Sequence, residues 1–162
     1  MQASPPHPLR GLLIAQFFGA FNDNAWKLLV ALLAIRQVTA AVGPTGPAFE
    51  AESQTQATLA FVVFTLPLML FSIVAGVLAD RVSKRTVLVF MKVAEVALMA
   101  AGTLALWLNP LGGWLLLVVL AGMGVHSALF SPAKYGILPE LLPYEKLSIG
   151  NGLLKMWTFF AI

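Results

Sequence analysis

The chain has 162 residues, of which 59% are hydrophobic and 10% charged, with a net charge of +3. A soluble domain carries about 25% charged residues, and far fewer cannot cover a water-facing surface, which excludes an ordinary soluble enzyme, a disordered tail and a fibrous repeat. The small, scattered positive charge argues against a nucleic-acid partner, and the absence of cysteine removes disulfides, thiol catalysis and cysteine-based metal sites.

A helix crosses the hydrocarbon core in about 20 predominantly apolar residues. The first apolar run extends from about Leu12 to Ile35. The second covers about Leu59 to Ala79, the third Thr86 to Leu108 and the fourth Trp114 to Phe130. A fifth opens near Leu147 and is still running at Ile162. That last run is too short to cross, so the chain reads as the N-terminal piece of a longer protein with about four and a half spans. The expected fold class is an all-α integral membrane protein with the lipid bilayer as its outer solvent. A cleaved leader is disfavoured for the first run. It exceeds the roughly 7–15 apolar residues of such a segment and carries Asn22, Asp23, Asn24 and Lys27.

Lys and Arg placement sets the orientation. Arg10 precedes span one, Arg81, Lys84 and Arg85 separate spans two and three, and Lys134 and Lys146 separate spans four and five. The alternate connections are poorer in positive charge: the stretch Arg36 to Ala57 sets one Arg against Glu50 and Glu52, and Asn109 to Gly113 has none. The N-terminus is therefore expected in the cytoplasm. The first external connection, rich in Gly, Pro, Ala and Thr without periodicity, reads as a mobile loop.

Ionisable groups inside spans are costly and mark pathways or pairs. In span one, Gln16, Ala20, Asp23 and Lys27 fall on one helical stripe, with Asp23 and Lys27 in the acid-first i,i+4 order. Two readings stand: an ion pair that fixes helix packing, or the wall of a polar cavity to which Asn22 and Asn24 also belong. Lys92 and Glu95 form an i,i+3 pair in span three that reads as structural, with Lys92 snorkelling towards the cytoplasmic end. Pro67 is expected to bend span two. The small residues Ala121, Gly122, Gly124, Ser127, Ala128 and Ser131 suit close packing of span four. His126 among them reads as a hydrogen-bonded helix contact, and with His7 far off in the tail no metal site is expected. No cofactor is called for either. The residues contain no nucleophile paired with a base and no acyltransferase His-and-Asp motif, so no enzyme is expected within them.

After span two the chain reads Gly76-Val77-Leu78-Ala79-Asp80-Arg81-Val82-Ser83-Lys84-Arg85. This run resembles the signature of the major facilitator superfamily, at the position between spans two and three where the superfamily carries it. It departs once, with Ser83 where glycine is usual. The run Ala15 to Asn24 is similar to the first helix of the bacterial lysophospholipid transporters and of the transporter half of their acyltransferase fusions. Ser131-Pro132-Ala133-Lys134-Tyr135-Gly136-Ile137-Leu138-Pro139-Glu140 is similar to that family's motif after the fourth helix, and Asn151-Gly152-Leu153 to the opening of its fifth.

The resemblance implies the N-terminal part of a major facilitator helix bundle over residues 1–162. Its partner would be the C-terminal half of the same transporter, and its seat the bacterial inner membrane. It implies transport or flipping of a lysophospholipid or related amphiphile by alternating access. In that reading Asp23, with Asn22, Asn24, Gln16 and Lys27, lines the transport cavity, Lys134 meets a lipid phosphate or a gate, and Gly76, Asp80, Arg81, Lys84 and Arg85 form the cytoplasmic gating motif. From its own context, without the motif, Lys134 reads rather as one more positive-inside residue. Two alternatives are a facilitator for another small amphiphile or drug-like solute, and a non-transporting anchor for a fused acyltransferase.

Overall fold

A computed structural model describes residues 7–162, with the side chains of residues 7, 8, 79 and 80 outside the description. Four long helices follow one another: α1 (His7–Val42), α2 (Pro47–Arg81), α3 (Lys84–Leu108) and α4 (Trp114–Gly136). A single turn, α5 (Leu138–Leu141), and a 3-10 turn at Tyr144–Lys146 lead into α6 (Leu147–Phe160). The stretches Leu9–Val42, Pro47–Leu78, Lys84–Leu108 and Trp114–Leu141 are each long and apolar enough to cross a membrane. Among the described residues there is no strand. The chain is a multi-pass, all-α membrane protein.

The expected external loop between Arg36 and Ala57 is instead almost entirely helical. Only residues 43–46 interrupt it, with Gly43 and Gly46 in the left-handed region at φ 90° and 103°. Pro47, at the first turn of α2, supplies a helix start rather than a loop, because its missing N–H is unneeded there. At 36 and 35 residues, α1 and α2 are each about 53 Å long at 1.5 Å per residue, well beyond the roughly 30 Å hydrocarbon core. Span four is also longer than its apolar run: Pro132 lies inside α4, which continues to Gly136.

Helix α4 is the axis of the bundle. One cluster gathers Trp26 and Val30 of α1, Ala60 of α2 and Ala105 of α3 around Leu116, Val119, Leu120 and Met123 of α4. A second joins Leu9, Leu12 and Leu13 of α1 to Ile137, Leu138, Leu142 and Leu154, seating α6 beside the start of α1. A third packs Val87 and Met91 of α3 on Phe130 and Ala133. Lipid tails are as apolar as leucine, so close approach and polar contacts decide these crossings. The tightest one joins α2 to α4, where a Cβ built on Gly124 would sit 2.2 Å from the Phe64 carbonyl oxygen. Large apolar side chains such as Phe18, Leu28, Phe61, Ile73, Phe90 and Trp107 point outwards, as a lipid-facing surface requires.

Candidate substrate cavity

A cavity of about 450 Å³ opens between α1, α2, α4 and α6. Helix α1 supplies Gln16, Gly19, Ala20, Asp23, Asn24 and Lys27, the stripe seen in the sequence widened by one residue on two sides. Helix α4 answers with Ser127, Ser131 and Lys134, spaced four and three residues apart and so on one face. Phe64 and Leu68 come from α2, Lys92 from α3 and Thr158 from α6.

The Asp23–Lys27 ion pair, one of the two readings of the stripe, is not formed. Asp23 accepts a 2.7 Å hydrogen bond from the Ser127 hydroxyl instead, across the α1–α4 contact. Lys27 Nζ lies 4.6 Å from the centre of the Phe64 ring, where a cation meets the negative face of the aromatic. Both groups have partners on other helices that are better placed than the next turn of their own. Gln16 is buried and donates to the Thr158 hydroxyl at 2.8 Å, tying α1 to α6 beside the 5.8 Å edge-on contact of Phe17 with Trp157. Asn24 lines the cavity with its amide turned back to the Ala20 carbonyl at 2.9 Å. Asn22 faces away from it, its amide 3.5 Å from Glu95 Oε1.

Lys134 is 9% exposed and lines the cavity, 4.9 Å from the Tyr135 ring and 5.6 Å from that of Phe130. Continuation of α4 past Pro132 turns this lysine into the bundle. Lys92 does not snorkel to the helix end either. Its ammonium is 2.6 Å from Glu95 Oε2 and 2.8 Å from the Ala15 carbonyl of α1, which hold it inside the bundle. His126 is buried, with Nε2 3.0 Å from the Met91 carbonyl and 3.9 Å from the same Glu95 oxygen. The expected helix contact is present, and it belongs to a wider polar cluster with Lys92 and Glu95.

The basic run from Gly76 to Arg85 lies apart from the cavity. Arg81 and Arg85 are exposed, and Lys84 pairs with Glu140 of α5 at 3.0 Å. That ion pair joins the basic turn after α2 to the end of the Ser131–Glu140 run. A Cβ on Gly76 would meet no atom within 4 Å. The Asp80 side chain lies outside the described residues.

Sequence reading placed Gln16, Asn22, Asp23, Asn24, Lys27 and Lys134 in one site; the fold brings five of these to one cavity and turns Asn22 to Glu95 instead. It missed Ser127, Ser131, Lys92, His126 and Thr158. The i, i+4, i+7 spacing of Ser127, Ser131 and Lys134 was a readable polar stripe, whereas Thr158 meets Gln16 from 142 residues away. Chemically, three ammonium groups and one carboxylate in a pocket walled by apolar helices can hold an anion, with a smaller site for a cation or donor at Asp23.

A polar, cation-rich cavity thus lies inside a multi-pass helical bundle of a membrane protein. Residues 48–154 match the family described as transmembrane secretion effector, MFS_3, and the chain belongs to that family of the major facilitator superfamily. It is similar to the lysophospholipid transporter LplT of Photorhabdus laumondii, 37% identical over 154 residues, 95% of this chain and 33% of that protein. It is also similar to those of Salmonella arizonae (34% over 151 residues, 93% and 33%) and Escherichia fergusonii (32% over 154 residues, 95% and 34%). The chain spans about a third of the length of these curated relatives. No solved structure matches it.

Proposed function

We propose that residues 1–162 are the N-terminal portion of a longer major facilitator carrier that moves lysophospholipid across the bacterial inner membrane. The observation that carries this reading is the charge inventory of the cavity: Lys27, Lys92 and Lys134 against Asp23, enclosed by apolar helix walls. A lysophospholipid presents a phosphate on a single acyl chain, and buried ammonium groups hold a phosphate as point charges. The names of the relatives point to the same solute class.

In this mechanism Lys134, with Lys92 beside it, meets the phosphate. Asp23 and Asn24 meet the donors of the headgroup, and Lys27 and Gln16 complete the polar wall. The C-terminal half of the same protein supplies the opposing face, and the two halves rock about the site. The run Gly76, Asp80, Arg81, Lys84 and Arg85 holds the cytoplasmic side closed between strokes, with the N-terminus in the cytoplasm. The residues serve binding and gating, and no chemical step is assigned to them.

The test is uptake of lysophosphatidylethanolamine by proteoliposomes of the full-length carrier, wild type against Asp23→Asn and Lys134→Ala. Each variant is expected to lose at least about tenfold in transport, the equivalent of one charge-assisted contact of about 1.5–3 kcal/mol. Wild-type uptake in both variants removes the site assignment, and no uptake by wild type removes the lipid reading.

A further inference from the structure

The cluster of His126, Lys92 and Glu95 at the cavity wall has a geometry that the headgroup reading does not use. His126 Nε2 sits 3.0 Å from the Met91 carbonyl, and a carbonyl only accepts, so this nitrogen carries a hydrogen and Nδ1 is the basic atom of the ring. The same ring lies 3.9 Å from Glu95 Oε2, the oxygen that Lys92 already holds at 2.6 Å. With a neutral ring, Glu95 and Lys92 match one charge for one. With a protonated ring, two cations share a single carboxylate. The surplus charge faces the cavity, because Lys92 and His126 both line it.

We propose that His126 is a proton-binding site linked to anion binding in the cavity. An anion held by Lys134 and Lys92 stabilises the protonated ring, and the protonated ring strengthens the hold on the anion, each by the same factor. The proton comes from water, adds to Nδ1, and leaves Nε2–H on the Met91 carbonyl. The charged groups around the ring are Glu95 and Lys92 from α3, Asp23 and Lys27 from α1, and Lys134 on its own helix. The cavity residues of α2 and α6 (Phe64, Leu68, Ser72 and Thr158 among them) do not titrate near neutrality. Adjacent residues of α4 thus engage two acids, His126 facing Glu95 and Ser127 bonded to Asp23.

This inference rests on the proposed solute class, and its test separates the two. The probe is palmitoyl-lysophosphatidylglycerol, whose headgroup carries a phosphate and no amine, titrated calorimetrically into the full-length carrier in buffers of different ionisation enthalpy. Wild type is expected to bind at least about fivefold more tightly at pH 6 than at pH 8, and to take up protons on binding near pH 7. In His126→Gln the amide Nε2 still donates to the Met91 carbonyl but cannot titrate, so affinity becomes flat with pH and proton uptake disappears. Persistence of the wild-type pH dependence in His126→Gln overturns the proposal. Glu95→Gln removes the acid that favours a charged ring and moves the pH dependence to lower pH; an unmoved profile also overturns it. If wild type binds no lipid at any pH, the solute reading fails and the proton site is judged without lipid. The ¹⁵N NMR titration midpoint of His126 must then fall in Glu95→Gln, and an unchanged midpoint sinks the proposal.

Discussion

Gly124→Ala is the most informative single change in the packing of the bundle. A Cβ at this position would stand 2.2 Å from the Phe64 oxygen and 3.2 Å from its carbonyl carbon, whereas ordinary contact begins at 3.4 Å. The obstruction is backbone, so no rotamer relieves it, and α2 and α4 must part by about 1.2 Å, the difference between 3.4 and 2.2. A radial gap of 0.5–1 Å forfeits roughly a quarter to a half of each contact's attraction. In lipid no gain from expelled water replaces the loss, because the helices were held by packing in the first place. Overpacking of this kind costs about 1–3 kcal/mol, and the better helix propensity of alanine returns about 1. The net expectation is a loss of up to about 2 kcal/mol, with the α2 wall of the cavity displaced at Phe64. Gly152→Ala is the control, since its Cβ would meet nothing within 4 Å. The assay is thermal unfolding of the detergent-extracted, full-length carrier followed by size-exclusion fluorescence. A Gly124→Ala protein that melts no lower than Gly152→Ala refutes the assignment of the α2–α4 crossing as the tight one.

Three other changes have defined outcomes. Ser127→Ala deprives Asp23 of its 2.7 Å donor and is expected to cost about 1–3 kcal/mol in stability, read by the same melting assay, while Ser127→Thr keeps the hydroxyl and most of the stability. The Lys84–Glu140 pair, with side chains 34% and 55% exposed, should show a coupling of only about 0.2–1 kcal/mol in a double-mutant cycle, shrinking as salt is raised. Lys92→Met leaves Glu95 without its ammonium and should destabilise by less than the roughly 3–5 kcal/mol of a fully enclosed pair, because the Lys92 side chain is 30% exposed. Lys92→Met with Glu95→Leu should recover much of that loss, and a double variant weaker than the single one would contradict the pairing.

Hydropathy made the four long helices legible, because a span through lipid leaves an uninterrupted apolar run that needs no partner to interpret it. Punctuation was harder. Gly43, Gly46 and Pro47 read as a loop by composition, yet they are a stop and a start separated by a few residues, and helix fills both sides. The apolar run of span four stopped at Phe130, yet α4 continues through Pro132 to Gly136 and carries Lys134 into the bundle. The cavity stripe on α1 was legible from 3.6-residue periodicity alone. Its pairing was not: Asp23 found Ser127 104 residues away and Lys27 found Phe64, so the nearest charge on the same helix was not the partner chosen. The Lys92–Glu95 pair was legible at i,i+3, but its meeting with His126 was not, since the two segments become one site only when α3 lies against α4.

The length of the first two helices has a mechanical corollary. About 53 Å of rigid rod pivoting near Asp23 acts as a lever, and a 10° tilt there sweeps the Gly43–Gly46 bend through about 5 Å. A spin label or fluorophore placed at that bend would register small rotations at the charged centre as displacements large enough to measure.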